Sequence, residues 1–191
     1  GDYQKIKEIT IQNKLRNKNI TKYYDYYNLK EHGCIVMEFA KYGDIDYFQK
    51  QLIQKRNLSE TLLVYIAKQI LDGLYYIHQS KIIHMDIKQQ NILIDENLNI
   101  KITDFSVSFP YDNYKENEKI KLPLAGTSLY MSPEVLNKEK IDAEDCSKID
   151  TFSLGILLYN LAFEQFPFDL EFSDKKNFVS IYTQIETKNL V

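Results

Sequence analysis

The chain has 191 residues, about the length of one domain. With 44% hydrophobic residues, 6 glycines and 4 prolines, its composition excludes collagen-like, low-complexity and disordered classes. Lysine and arginine total 24 against 27 acidic residues, so a net charge of -3 offers no general attraction to nucleic acid or an acidic membrane surface. The chain opens with good helix formers from Asp2 to about Asn17, and Glu8, Ile11 and Leu15 share one face, which predicts a helix carrying an acid beside core positions. Tyr23 to Tyr27 and Cys34 to Phe39 are aromatic and β-branched runs around the turn-prone Lys30 to Gly33, and read as neighbouring strands. Cys34 and Cys146 are far apart with no metal-ligand spacing. They fit a reducing compartment in which both serve as packing residues.

Gly43-Asp44 leads to an expected helix near Tyr47 to Gln54, and Ser59 is placed to cap the next one. Leu63, Ile66, Ala67, Ile70, Leu71, Leu74 and Ile77 keep helical spacing through residue 78, so one long stripe is expected to face a core. The period then changes: Ile82-Ile83, Ile92 to Ile94, a turn at Asp95 to Asn97, and an alternating strand from Ile100 to Thr103. From Asp104 to Lys121 no period is visible, which predicts a long functional loop, its end from Lys115 solvated. Ser132-Pro133-Glu134 opens a short helix. Phe152 to Phe163 is apolar on all sides, with Gly155 expected to allow a close approach, and a weak amphipathic stretch follows near Phe178 to Ile185. The apolar run falls short of the roughly 18 to 20 residues that cross a bilayer, and no basic segment with an apolar run opens the chain. The expectation is a cytoplasmic protein that binds neither membrane nor nucleic acid.

The loop His84-Met85-Asp86-Ile87-Lys88-Gln89-Gln90-Asn91 sets a carboxylate, an ammonium and an amide close together between strands. Singly these are ordinary: Asp86 a turn aspartate, Asn91 a loop amide, Asp104 an N-cap. Their order with Asp104-Phe105-Ser106, Gly126-Thr127 and Ser132-Pro133-Glu134 is specific. The chain resembles the protein kinases, whose catalytic loop reads H-R-D-L-x-x-x-N and is followed by D-F-G and A-P-E.

The resemblance runs from Glu8 to about Phe168 and implies a role for each matching residue. Glu8 looks like the acid of the family's αC helix, Met37 the gatekeeper, and the backbone at Glu38 and Ala40 the rim that holds adenine. Asp44 would lie near the ribose and Leu93 under the base. Asp86 would accept or orient the substrate hydroxyl, Lys88 would meet the transferring phosphate, and Asn91 and Asp104 would hold magnesium. Phe105, Thr127 and Glu134 match the activation segment, His84 looks like a packed structural imidazole, and Asp150 looks like the start of the buried αF helix. Lys88 followed by Thr127 is similar to the serine/threonine branch.

The match has gaps. No Gly-rich loop or V-A-I-K lysine stands ahead of Glu8, and Lys5 and Lys7 on its own helix cannot replace that lysine. Met85 occupies the arginine position of H-R-D, which puts phosphate control of the activation segment in doubt. Ser106 replaces the glycine of D-F-G, at about 1 to 2 kcal/mol if that position is left-handed. Gln12 stands where the αC helix usually supplies an apolar residue.

The resulting expectation is an α+β, bilobal kinase-like fold with a partial N-lobe of αC and two strands and a mostly helical C-lobe truncated after αF or αG. Residues 1–191 form one catalytic domain incomplete at both ends, about 1–40 being residual N-lobe and hinge and about 41–191 the C-lobe. The expected function is transfer of the ATP γ-phosphate to protein Ser/Thr hydroxyls with ATP and Mg2+, weak or absent in this fragment alone. The alternative is a pseudokinase, a kinase-like scaffold that binds a regulatory protein partner without phosphoryl transfer.

Overall fold

Two buried amides tie the main helix to the main hairpin. The computed structural model describes residues 2–29, 32–52 and 58–168. Helix α3, Glu60–Gln79, is capped by Ser59, whose side chain accepts the Leu62 N–H, and it buries Ile66, Ile70, Leu74 and Ile77 along one stripe. Strands β4 (Ile92–Ile94) and β5 (Ile100–Ile102) pair antiparallel across a turn in which Asp95 Oδ1 accepts the N–H groups of Asn97 and Asn99, each at 2.8 Å. Gln69 of α3 accepts from the Ile100 N–H at 3.1 Å and from Asn19 Nδ2 at 3.0 Å, and Asn19 also donates to Ile100 O. The same segment pairs with β5 through Ile102 N–H to Asn19 O and Thr21 N–H to Ile102 O.

That seam carries the N-terminal elements. Helix α1 (Asp2–Lys14) buries Ile11, with Leu15 buried just beyond its end, and it stops short of Asn17 because the Asn17 side chain and carbonyl take the N–H groups of Asn19 and Ile20 in a turn. Strands β1 (Tyr23–Leu29) and β2 (His32–Met37) pair antiparallel, with an irregularity between Tyr23 and Asp25. Beyond β2, Phe39 is 83% exposed. Lys101 of β5 is buried and its Nζ reaches Glu38 at 2.7 Å, so the strand that alternates in sequence is covered on both faces.

A one-turn helix α2 (Ile45–Tyr47) continues as a π-helical segment, Phe48–Leu52. The helix expected near Tyr47 to Gln54 thus starts earlier, and its last residues lie outside the described ones. Strand β3 (Ile82–Ile83) pairs with β6 (Phe109–Pro110), and β7 (Lys119–Lys121) pairs with β8 (Lys140–Asp142). The stretch from Asp104 to Lys121 is therefore not one aperiodic loop: strands of two or three residues are too short for alternation to show, and Ile120 is buried. Helix α4 (Pro133–Leu136) starts with proline at its first position.

Helix α5, Lys148–Phe163, buries Ile149, Asp150, Ser153, Leu154, Ile156, Leu157 and Leu161. Gly155 is exposed and an added Cβ there would meet nothing within 4 Å, so this glycine serves no close approach. Cys146 is buried as a packing residue, but Cys34 is exposed, because the two-stranded sheet leaves one side open at Tyr24, Tyr27 and Cys34. The amphipathic stretch near Phe178 to Ile185 lies outside the described residues. Among the described residues no helix is long and apolar enough to cross a membrane.

The contact of α3 with β5 passes over Gly73, where an added Cβ would lie 2.8 Å from Ile102 Cδ1 and 3.2 Å from Asn19 O. Gly73→Ala should therefore destabilise the protein by about 1 to 3 kcal/mol despite alanine's better helix propensity, measured by urea unfolding.

Candidate active site

The loop His84 to Asn91 is shaped by one carboxylate beneath it. Asp150, fully buried at the start of α5, accepts the Met85 N–H on Oδ1 at 2.9 Å and the His84 N–H on Oδ2 at 2.8 Å. His78 Nε2, from the last turn of α3, also lies 2.8 Å from Oδ2. These bonds hold Met85 in a left-handed backbone, φ 68, which costs a non-glycine residue about 1 to 2 kcal/mol. The Met85 side chain points into the core. His84 is fully buried; its Nδ1 accepts the Asp86 N–H at 3.2 Å, so Nε2 carries the proton and donates to Thr103 O at 2.9 Å. Its ring meets Phe105, also fully buried, edge-on with centroids 4.9 Å apart. Gly126, φ 104, lies against the same loop, where a Cβ would collide with the Met85 carbonyl oxygen.

Asp86 is the centre of a closed cluster. Its Oδ1 accepts from the Thr127 N–H at 2.8 Å and from the Thr127 hydroxyl at 2.7 Å. Its Oδ2 accepts from Asn91 Nδ2 at 3.0 Å and from Lys88 Nζ at 2.7 Å. Lys88 also donates to the Thr127 oxygen at 2.9 Å. Burial pushes the Asp86 carboxyl up, but hydrogen bonds from Lys88 and Thr127 and the nearby positive charge outweigh it and hold the group below its ordinary value. Asp86 is thus ionised at neutral pH. Asn91 spends both amide hydrogens on Asp86, one on the carboxylate and one on the backbone oxygen at 2.8 Å, which leaves its Oδ1 for another partner.

The Thr103 N–H donates to Asn91 O at 3.0 Å and sets Asp104 beside this cluster. Asp104 is left-handed, φ 65, whereas Ser106 is not, so the strain expected at Ser106 falls on Asp104, a residue type that tolerates it. Asp104 Oδ1 accepts the Ser106 hydroxyl at 2.6 Å and its N–H at 3.2 Å, and among the described residues Oδ2 has no hydrogen bond. One oxygen each from Asn91 and Asp104 fits magnesium, which takes few protein ligands and keeps water and phosphate oxygens. Among the described residues no group of three or more His, Cys, Asp or Glu could hold a metal.

Glu8 on α1 is half-buried and faces Asp104; burial, then the Asp104 charge, raises its carboxyl above the ordinary value. No lysine or arginine pairs with it among the described residues. Gln12, one turn on, is fully buried; its Nε2 donates to Met37 Sδ at 3.0 Å while its Oε1 has no partner among the described residues.

Met37 ends β2, and the Glu38 N–H is taken by Lys22 O at 2.8 Å. Ala40 O accepts from the Gly43 N–H, turning the chain so that Asp44 pairs by its backbone with Leu93. Of the expected nucleotide-binding residues, these bonds bring Asp44 and Leu93 together. The Asp44 carboxylate is partly committed, since Oδ1 caps α2 by accepting the Tyr47 N–H at 2.8 Å. Glu134 sits in the first turn of α4, half-buried and outside any ion pair among the described residues. Sequence reasoning missed His78, whose only signal is a basic residue in a helix's last turn, and the Ser106 hydroxyl as a ligand of Asp104.

Comparison with known proteins places this geometry. The family model Protein kinase domain matches residues 2–190. The chain is similar to NUAK family SNF1-like kinase 1 of Homo sapiens, 34% identical over 85% of this chain and 23% of that protein. It is also similar to serine/threonine-protein kinase pakG of Dictyostelium discoideum, 35% identical over 84% of the chain and 13% of that protein. An Aurora kinase of Eremothecium gossypii is 31% identical over 97% of the chain and 46% of its own length. The chain thus spans a quarter or less of the first two relatives and under half of the third.

Two outcomes follow from the charges. Asp150→Ala leaves the buried N–H groups of His84 and Met85 without acceptors and should cost on the order of 2 to 6 kcal/mol in chemical denaturation. Glu8 has a raised carboxyl in the folded state, so stability falls as pH rises through the interval between its ordinary and its raised value. Glu8→Gln should therefore raise the thermal midpoint at pH 7, and the gain should vanish below about pH 4, where both side chains are neutral.

Proposed function

Because this chain belongs to the protein kinase domain family, we propose that it transfers the γ-phosphoryl group of ATP to serine or threonine hydroxyls of a protein. The observation that carries this reading is the convergence of Lys88, Asn91 and Thr127 on the two oxygens of Asp86. Phosphoryl transfer asks little covalent chemistry of a protein and much positioning and charge neutralisation. An Asp86 held ionised is a weak base in bulk terms. It suits orienting the acceptor hydroxyl and taking its proton late in the transfer. Lys88 moves from its partners to the charge that develops on the transferring group. Asn91 Oδ1 and Asp104 Oδ2 would hold Mg2+, which supplies charge neutralisation on the phosphate oxygens.

Met37, with the backbone at Glu38 and Ala40, would hold adenine, Leu93 would pack under it, and Asp44 would reach the ribose through the oxygen not used as a cap. A cavity of about 530 Å³ opens beside Thr127, lined in part by Gln89, Leu129, Tyr130 and Asn160, and gives a peptide room next to Asp86. The catalytic domain takes in residues 1–191, with about 1–40 as N-lobe and hinge and about 41–191 as C-lobe. Glu8 and Asp104 oppose each other without a cation among the described residues, so transfer by the chain alone is slow. The same opposition, with the buried orphan Gln12 Oε1, supports a second reading, a kinase-like scaffold that binds a partner without transfer.

Transfer of labelled phosphate to a mixture of Ser- and Thr-containing peptides tests both. Asp86→Asn should lower the rate by about 10² to 10⁴, and the Asp86 limb of the pH profile should stay flat down to about pH 4, below which protonation removes it. Equal transfer by Asp86→Asn and the parent would sink the first reading, and nucleotide binding with no transfer would favour the second.

A further inference from the structure

Glu164 stands where a carboxylate is disfavoured twice over. It follows α5 in a left-handed backbone, φ 54, with its N–H donating to Asn160 O at 2.8 Å. Glycine usually fills such a helix end, because a residue with a Cβ is strained there. The charge is also of the wrong sign, since the C-terminal end of a helix dipole favours a cation. Nothing within the fold offsets either cost: Glu164 is exposed and makes no ion pair among the described residues. Glu164 lines the cavity of about 530 Å³ beside Thr127. The other charged residues lining it, Asp46 and Lys50, pair with each other at 2.8 Å, and the Gln89 and Asn160 amides are joined at 2.7 Å. Tyr130 and Phe166, edge-on with centroids 5.5 Å apart, give the cavity an aromatic wall. Among the described residues that line it, Glu164 is thus the one charge without an ion-pair partner.

We propose that Glu164 determines substrate specificity: it selects proteins that carry a lysine or arginine a few positions from the serine or threonine to be phosphorylated. The inference rests on the reading that Asp86 and its neighbours direct phosphoryl transfer to a protein. A basic side chain suits both features of the cavity. Its aliphatic stem lies along Tyr130 and Phe166 while its charged head reaches Glu164 and water. An acidic residue in the same place would face Glu164 as a like charge, and a small neutral one would leave both the aromatic wall and the carboxylate without a partner. A strained residue that carries an unpaired charge beside a reaction centre is explained by what it binds there.

The test is binding of fluorescein-labelled peptides to the 191-residue chain, read by anisotropy at low salt so that surface charge is not screened. The peptides share a single serine and differ by lysine, alanine or glutamate at each flanking position in turn. The parent should favour lysine over alanine at a particular position by about two- to fivefold, the range of an exposed ion pair. Glu164→Gln should flatten that preference and leave the other positions as they are, and Glu164→Lys should turn it toward glutamate. Glu164→Gly should lose the preference while its thermal midpoint rises, because glycine relieves the left-handed strain. A parent with no lysine preference, or a preference that Glu164→Lys leaves in place, overturns the assignment. Transfer of labelled phosphate to the tightest peptide separates the two readings. Transfer that Asp86→Asn abolishes but that stays equally lysine-selective in Glu164→Gln removes only the role of Glu164. Lysine-selective binding that follows Glu164, with no transfer by the parent, overturns phosphoryl transfer while the basic-residue site at Glu164 stands.

Discussion

The Asp150 carboxylate under the loop at His84 is the constraint on which the site depends. A single buried anion collects donors from three places: two successive backbone amides and the His78 ring at the end of α3. It has no lysine or arginine within ion-pair distance among the described residues, so its partners there are the two backbone N–H groups and the His78 ring. In return it sets a left-handed turn at Met85 that no local preference would choose, and that turn brings Asp86 toward Thr127 and Asn91. Part of the backbone strain lies in the same place. Met85, Asp104 and Gly126 all have positive φ and all border the Asp86 cluster or its neighbour. Strain of this kind persists where the surroundings over-determine it.

Charge is handled unevenly across the site. Asp86 is fully compensated by Lys88, Thr127 and Asn91, and its carboxyl is held low. Elsewhere in the site Asp104 and Glu8 face each other without a lysine or arginine partner among the described residues, and Glu8 is held high. The first arrangement belongs to a group that works as an anion; the second belongs to a place that is completed by a cation. A protein kinase domain that folds with one half of its charge balanced and the other open has its structural stability and its ligand demand in different residues.

Much of the fold was legible because it depends on local periods. The stripe from Ile66 to Ile77, the Ser59 cap, the hairpin about Asp95 and the pairing of β1 with β2 follow from spacing and turn chemistry. What misled was non-local. Strands β6 and β7 are defined by partners at Ile82 and Lys140 and not by their own pattern. Gly155 looked like a contact glycine because its neighbours are apolar, yet it faces outward, and Cys34 lies on a sheet face that nothing described covers.

By itself the sequence determined which groups the site could contain: Asp86, Lys88, Asn91 and Asp104 in a fixed order, with serine in place of glycine at 106 and methionine in place of arginine at 85. Composition, order and spacing are properties of a chain, and they suffice to name candidates and a family. Which oxygen of each carboxylate is spent and which is left could come only from the tertiary structure. Asp86 meets Thr127 across 41 positions and His84 meets Asp150 across 66, and such encounters depend on the packing of α3, α5 and the short hairpins between them. Side-chain chemistry is written residue by residue. Hydrogen-bond valence, burial and the sign of a pKa shift arise only when distant residues share one dielectric environment.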